Sequence, residues 1–203
     1  MMRVFSLNKI LLHFLLFFLS FNLSGCVVLG VGTAATTGAI VADERSVGNI
    51  LDDKVITTKV QYELSKSSKN NSLRGVSANT YEGRVLLTGF VTDIEYKDQA
   101  EKSAWLISGV KEVINEVNIS SKNKSNTAQD LWMTTKIKTK FLVTKEIHSV
   151  NYKVVVYDSV AYLLGIASTQ EELDIALHTA SEVDGVSKVK NYILVKNDIR
   201  RAD

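Results

Sequence analysis

The stretch Ile-Thr-Thr-Lys-Val at residues 56–60 returns as Met-Thr-Thr-Lys-Ile at residues 133–137. Two later pairs follow in the same order, LTGF at 87–90 with LLGI at 163–166, and GVKEV at 109–113 with GVSKV at 185–189. Agreement at glycine and apolar positions along the whole stretch indicates one structural unit that occurs twice. The two copies are therefore expected to share one fold.

Each unit reads as helix, strand, strand, helix, strand. In unit 1 an apolar stripe formed by Ile56, Val60 and Leu64 predicts a helix that Asp52 or Asp53 caps. The next landmarks are an alternating strand at 76–80, a turn at Glu82-Gly83, a strand at 84–91, a helix from Asp93 to Gly109 and a strand at 113–119. Unit 2 repeats them with a helix carrying Met133, Ile137 and Phe141, strands at 154–157 and 160–167, a helix carrying Ala176, Ala180 and Val183, and a strand at 189–195.

This alternation predicts two small domains, each with three strands and two helices on one face. The domains span residues 46–119 and 127–196, with a polar linker at 120–126 and a tail at 197–203. Alanines 100 and 104 let the second helix of unit 1 lie close to the sheet, and Trp105 is expected to face the sheet with them. Because each unit is small, we expect the two to pack on each other.

The N-terminus has the features of an export signal. Arg3 and Lys9 precede an apolar run at residues 10–23, which is short for a membrane-spanning helix but has the length of a signal-peptide core. The run ends in Leu-Ser-Gly-Cys at residues 23–26, which resembles a bacterial lipobox. The sequence thus predicts a lipoprotein signal peptide at 1–25 and lipid attachment at Cys26, which is the only cysteine and excludes an intramolecular disulfide.

Residues 26–45 are interpreted as the lipidated cysteine and a flexible tether. The segment 27–42 is uncharged and rich in glycine, which disfavours a regular helix. Val27 follows the cysteine, where lipoprotein sorting of the enterobacterial kind uses Asp to retain a protein at the inner membrane. The absence of Asp at this position predicts transfer to the outer membrane. There, multiple acyl chains (palmitate among them) give stable anchoring.

The charge balance excludes a globally basic surface for nucleic acid. The formal net charge is +2, and Arg3 and Lys9 of the predicted signal peptide supply all of it. The rest of the chain carries as many acidic as basic side chains. An affinity for anionic partners must therefore come from a local patch.

No motif of an enzyme, metal site or cofactor site is present. The sequence contains no HExxH, no P-loop, no GxSxG and no Cys/His metal spacing. His148 and His178 are expected to be exposed polar residues, and Glu171, Glu172 and the acids at 93 and 95 are expected to favour helix starts. The chain is predicted not to be an enzyme and to need no cofactor.

The first helix of unit 2 carries the informative surface. At 100° per residue, Trp132, Thr135, Lys136, Thr139 and Val143 share a face away from the core, and Lys138 and Lys140 lie toward its flanks. Asp130 and the three lysines give this helix a local charge of +2, whereas unit 1 has Val55 and Glu63 where unit 2 has Trp132 and Lys140. A tryptophan beside lysines suits a lipid headgroup boundary. The residues alone leave open that Trp132 instead packs between the domains or onto a loop.

The repeated unit resembles a BON domain. The resemblance rests on GRVLLTG at 83–89, the alanine-rich helix, GVxxV at 109–113 and Asn115, and the second copy keeps Gly165, Ala176, Ala180, Gly185, Val189 and Asn191. It departs at Ser159, where the family has a turn glycine, so a different turn type is expected there. A lipobox followed by two such domains is the layout of dual BON-domain outer-membrane lipoproteins.

This resemblance implies an α+β fold of two tandem BON domains, each α-β-β-α-β with a three-stranded mixed sheet. It implies a lipoprotein anchored at the periplasmic face of the outer membrane that binds anionic phospholipid, such as phosphatidylglycerol or cardiolipin. The implied site is the first helix of the second domain, with Trp132, Thr135, Lys136, Lys138, Thr139 and Lys140. Support of envelope integrity, enrichment at the division site and association with the β-barrel assembly machinery are implied as well. The alternative is a protein-interaction module whose exposed helix docks an envelope partner such as that machinery.

Overall fold

The computed structural model describes residues 47–66, 72–121 and 125–198. The predicted signal peptide, Cys26 and the tether lie outside these residues, as do positions 122–124 of the predicted linker and most of the predicted tail. Within the described ranges, no helix combines the length and the apolar character needed to cross a bilayer.

Both units have the predicted order of elements. Unit 1 consists of α1 (Val47–Lys66), β1 (Val76–Tyr81), β2 (Arg84–Val91), α2 (Ile94–Trp105) and β3 (Glu112–Ile119). Unit 2 consists of α3 (Thr127–Val143), β4 (Tyr152–Tyr157), β5 (Val160–Ala167), α4 (Gln170–Ser181) and β6 (Lys188–Val195), with a short 3₁₀ turn at Ser149–Asn151 before β4. Helix α1 begins earlier than predicted, so Asp52 and Asp53 lie inside it and cap nothing.

The second strand of each unit lies in the middle of a three-stranded sheet. In unit 1, β1 pairs antiparallel with β2 and β3 pairs parallel with β2, and the same arrangement joins β4, β5 and β6. An antiparallel pair needs only a tight turn, whereas a parallel pair needs a long crossover, which α2 and α4 supply. The mixed sheet and the α+β class are confirmed.

One face of each sheet carries the helices and holds the core that the sequence predicted. In unit 1 the helix residues Ile56, Val60 and Leu64 are buried against Ala100 and Ala104 and against alternate strand residues, among them Val85, Leu87 and Val117. In unit 2 Met133, Ile137 and Phe141 are buried in the same way against Ala176, Ala180 and Leu163. Burial of a leucine or valine side chain of this kind stabilises a fold by about 1.5–3 kcal/mol.

A buried carboxylate from the first helix holds the hairpin turn of each unit. In unit 1 the two oxygens of Asp53 accept hydrogen bonds from the backbone N–H groups of Glu82 and Gly83, each at 2.9 Å. The role of Asp53 is therefore to bind the turn between β1 and β2, 30 residues further along the chain.

Unit 2 keeps both the carboxylate and the turn, although a serine replaces the glycine. Asp130 accepts from the N–H groups of Asp158 and Ser159, each at 3.0 Å. The φ angles are 52° and 62° at these two residues and 51° and 75° at Glu82 and Gly83. Positive φ at both central positions is the type I′ pattern in each unit. The expectation that Ser159 changes the turn type was wrong, because Asp130 holds it in the left-handed region.

The two sheets pack on each other through their helix-free faces. A separate apolar cluster joins Tyr81, Leu86 and Ile114 of unit 1 to Tyr162, Leu164 and Ile166 of unit 2. Along each central strand, alternate residues point to the helices and to the other sheet, so β2 and β5 are buried on both faces. The described chain therefore has the layer order helices, sheet, sheet, helices.

Polar contacts fix how the two sheets meet. The Tyr81 hydroxyl donates to the carbonyl oxygen of Asn151 at 2.8 Å, and Arg84 Nη1 donates to the carbonyl oxygen of Tyr192 at 2.7 Å. The Glu116 carboxylate accepts from Lys190 Nζ and from the Tyr192 hydroxyl. Burial alone would raise the pKa of Glu116, but these two donors outweigh it and hold the pKa below the ordinary value.

Ser159→Gly should stabilise the protein. A residue other than glycine in the left-handed region costs about 1–2 kcal/mol, and the added flexibility of glycine in the unfolded chain cancels part of that gain. We expect the free energy of unfolding to rise by about 0.5–1 kcal/mol in urea titrations. The reverse change, Gly83→Ser, should destabilise, because a Cβ at residue 83 would lie 2.7 Å from the carbonyl oxygen of Gly109. Loss of stability in Ser159→Gly would contradict this account.

Glu116→Gln should weaken the contact between the units and remove part of the acid sensitivity. A carboxyl group whose pKa is lowered on folding contributes stability above its unfolded pKa, near 4.5, and loses it as pH falls through the lowered value. We expect a loss of about 1–2 kcal/mol at pH 7 and a smaller loss at acid pH. Unfolding titrations between pH 3 and 7 measure both, with the exposed Glu146→Gln as control. An unchanged slope of stability against pH would show that this carboxylate does not link the units.

Candidate functional site

Helix α3 presents the surface that the sequence singled out. The Asn126 side chain caps its start by accepting from the N–H of Gln129, and Thr144 ends it. Met133, Ile137 and Phe141 bury the opposite side in the core of unit 2. Most of the remaining side chains of the helix are exposed to solvent.

Trp132 lies on that outward surface with 47% of its area exposed. The Nζ atom of Lys136 stands 5.4 Å from the centroid of the indole ring, which is within cation–π range. The hydroxyl groups of Thr135 and Thr139 donate to carbonyl oxygens one turn back in the helix, both at 2.9 Å. The helix backbone thus engages both hydroxyl protons, while the indole and the ammonium group remain accessible.

The alternative position for Trp132, between the domains, does not occur. The contact between the units consists of strand residues from the two sheets, and α3 belongs to the opposite, helical side of its own sheet. Its lysine neighbours are arranged as the periodicity predicted, with Lys138 exposed on one flank and Lys140 half-buried on the other.

The structure adds apolar side chains that the sequence interpretation left out. Leu131 and Leu142 are exposed beside the predicted face, and Val143, which that face already included, is 72% exposed. All three lie near the two ends of α3, so the exposed indole is accompanied by aliphatic groups. The helical periodicity could have found Leu131 and Leu142, because both project on the flank that also holds Lys138.

The charge of this surface differs from the simple count. Asp130 is buried at 5% exposure and its carboxylate is occupied by the hairpin turn, so it does not offset the lysines at the surface. Glu182, by contrast, lowers the positive charge of this surface. It lies at the end of α4, and its carboxylate is 3.7 Å from Lys140 Nζ and 3.4 Å from His178. Lys136 and Lys138 supply the exposed positive charge, and Glu182 reduces the contribution of Lys140.

Glu172 is a structural carboxylate rather than a solvated residue at a helix start. It is 4% exposed and accepts hydrogen bonds from the N–H groups of His148 and Ser168, each at 2.8 Å. Burial acts to raise its pKa, but these backbone donors lower it below the ordinary value. The His148 ring is exposed and lies 3.2 Å from the same carboxylate. In the described ranges, no group of His, Cys, Asp and Glu is arranged to hold a metal ion.

Trp105 does not face the sheet, contrary to the prediction. It lies at the outer side of α2 with 50% of its area exposed, and Leu106 after it is 72% exposed. Ala100, Ser103 and Ala104 occupy the side that packs on the sheet. The 100° step between neighbours carries Trp105 past that side.

Comparisons with known proteins place these features in a family. The chain is 34% identical to the outer membrane lipoprotein DolP of Haemophilus influenzae, over 82% of this chain and 86% of that protein. It is 32% identical to a 21 kDa hemolysin of Actinobacillus pleuropneumoniae over 74% and 78% of the two chains, and 33% identical to the osmotically-inducible protein Y of Escherichia coli over 75% and 77%. The model of the BON domain family matches twice, at residues 52–121 and 129–197.

Proposed function

Since the chain belongs to the BON domain family, with two copies of that domain, we propose that it is an envelope lipoprotein that binds anionic phospholipid through α3. Cys26 anchors it to the periplasmic face of the outer membrane, and the protein supports envelope integrity. The observation that carries the proposal is the half-exposed Trp132 with Lys136 over its ring. A binding role without enzymatic activity is part of this proposal.

The surface of α3 has the composition of a membrane-interface site. An indole is favoured at the boundary between headgroups and acyl chains, and exposed aliphatic groups such as Leu142 gain free energy when they leave water. Lys136 and Lys138 are attracted to a negative surface, each contributing about 1 kcal/mol. Lysine acts as a point charge, so the site favours anionic headgroups such as phosphatidylglycerol and cardiolipin over neutral ones.

The lipid anchor and α3 act together. Acyl chains at Cys26 would hold the protein at the membrane, so that α3 meets the headgroups at a high effective concentration. A weak site then suffices, and its strength decides how long the second domain stays in contact with the surface. Enrichment at the division site and association with the β-barrel assembly machinery would follow from where anionic lipid and partner proteins collect.

Trp132→Glu should abolish binding to anionic vesicles. The change replaces the interfacial ring with a negative charge, and we expect at least a tenfold loss in co-sedimentation of the 27–203 fragment with phosphatidylglycerol vesicles. Trp105→Ser, which removes the other exposed tryptophan, is the matched control and should bind as the unchanged chain does.

Three outcomes distinguish the hypotheses. Binding that weakens with salt and is lost in Trp132→Glu supports the lipid site. Vesicle binding that survives this substitution unchanged would reject α3 as the site. An absence of vesicle binding in the unchanged fragment, together with pull-down of an envelope protein that depends on Trp132, would favour the protein-docking alternative.

Glu182→Gln should tighten vesicle binding. The substitution removes the carboxylate that faces Lys140 and His178, and one unit of charge near an anionic surface is worth about 1 kcal/mol, which corresponds to about fivefold in affinity. Glu171→Gln, at the other end of α4, is the control for a general change in net charge. Equal effects from both variants would show that net charge rather than the Lys140 contact sets the affinity.

A further inference from the structure

Unit 1 has an exposed apolar surface of its own on α2, which we call the α2 patch. It consists of Ile94, Trp105 and Leu106, which are 53%, 50% and 72% exposed. Ile94 and Trp105 are the first and last residues of α2 and lie three turns apart on one side of the helix. Leu106 follows as the residue that ends the helix.

The duplication provides an internal control for this patch. Helix α4 has the same length as α2, and its corresponding positions hold Gln170, Ser181 and Glu182. All three are exposed in unit 2, which adopts the same fold. The BON fold therefore does not require apolar residues there, and side chains that leave half or more of their area in water gain only part of the free energy of burial. Exposed apolar side chains that the fold does not require indicate an interaction site.

The charge around the α2 patch is opposite to that of α3. Asp93, Glu95 and Asp98 are exposed at the start and along the outer side of α2. Of the other charged residues of the helix, Lys102 is exposed, and Lys97 and Glu101 are half-buried, so acids outnumber bases. On α3, by contrast, the exposed charges are lysines. An anionic bilayer would be repelled by the carboxylates, whereas a polypeptide segment with basic and apolar side chains would find both kinds of complement.

The layer order separates the two surfaces. Because the sheets pack through their helix-free faces, α2 lies in one outer layer and α3 in the other. A partner on α2 would therefore leave Trp132 accessible. The α2 patch and the α3 surface can be occupied at the same time.

We propose that the α2 patch docks a basic, apolar segment of another polypeptide. The inference goes beyond lipid binding and does not depend on it. Trp105 supplies the anchor of the contact, as buried tryptophans do in many interfaces. Leu106 beside it enlarges the apolar area, and Ile94 provides a second apolar contact three turns away. Asp98 and its acidic neighbours select a positively charged partner.

Photo-crosslinking in the native envelope tests the proposal with the full chain. Benzoylphenylalanine at position 106 should give a discrete adduct with another polypeptide, and the same group at the equivalent position 182 should not. The crosslinked partner segment, identified by peptide mass spectrometry, should carry Lys or Arg beside apolar residues. Trp105→Ser and Asp98→Lys should each lower the yield at least fivefold. Trp105→Ser should preserve the fold, because unit 2 folds with serine at that position.

The proposal is overturned if position 106 gives no more adduct than position 182, or if the adduct survives Trp105→Ser. An adduct with lipid or with a second copy of this chain would overturn it too. Lipid contact is also measured directly, in the acylated chain on vesicles that contain brominated phosphatidylglycerol. The single-tryptophan variant Trp105→Phe should show quenching of Trp132, and Trp132→Phe should leave Trp105 unquenched. Equal quenching would mean that the patch faces the membrane.

These outcomes are separate from those for the lipid site. If Trp132→Glu leaves vesicle binding unchanged but the position-106 adduct forms as expected, the α3 proposal fails and the α2 proposal stands. If Trp132→Glu abolishes vesicle binding but position 106 gives no specific adduct, the α2 proposal fails and the α3 proposal stands.

Discussion

The packing of the two sheets on each other is the constraint on which the rest of this structure depends. A three-stranded sheet with helices on one side leaves its other side bare, and Leu86 and Leu164 show that this side is apolar in both units. Neither unit can bury that surface alone. Joining the two faces buries both at once, so in the described part of the chain the surfaces left for a partner belong to the helices, the loops and the sheet edges.

This arrangement also explains why the two copies have diverged where they have. Positions in the core between the helices and the sheet are fixed by packing, which preserves the alanines of the second helix, and the hairpin turns preserve the carboxylates Asp53 and Asp130. The outward positions of the helices carry no such demand. There unit 1 has Val55 and Trp105, and unit 2 has Trp132 and Ser181, so one scaffold displays two chemically different surfaces.

The sequence predicted the elements and the helix-side cores well, because hydrophobic periodicity and the residues that end helices and strands are local properties of the chain. The apolar stripe of α3 and the glycine after each second helix are read directly from the chain. Contacts between residues that lie far apart in the sequence could not be predicted in this way. Asp53 looked like a helix cap because its bond to a turn 30 residues away leaves no local trace, and Trp105 was placed in the core on the strength of its alanine neighbours. The largely apolar sequences of β2 and β5 did hold a signal of burial on both faces. On α3 the face of Trp132 followed from periodicity, whereas the opposition of Lys140 by Glu182 needed the packing of two helices.

The shared sheet interface has a consequence for the order in which the chain is made. The chain emerges from its N-terminus, so β1, β2 and β3 become available before β4, β5 and β6, which cover them in the finished protein. During that interval Tyr81, Leu86 and Ile114 form a bare apolar surface on a half-finished protein. Such transient surfaces are where nascent chains aggregate or recruit chaperones. The face that joins the two units of the finished molecule is thus exposed to aggregation until the second unit covers it.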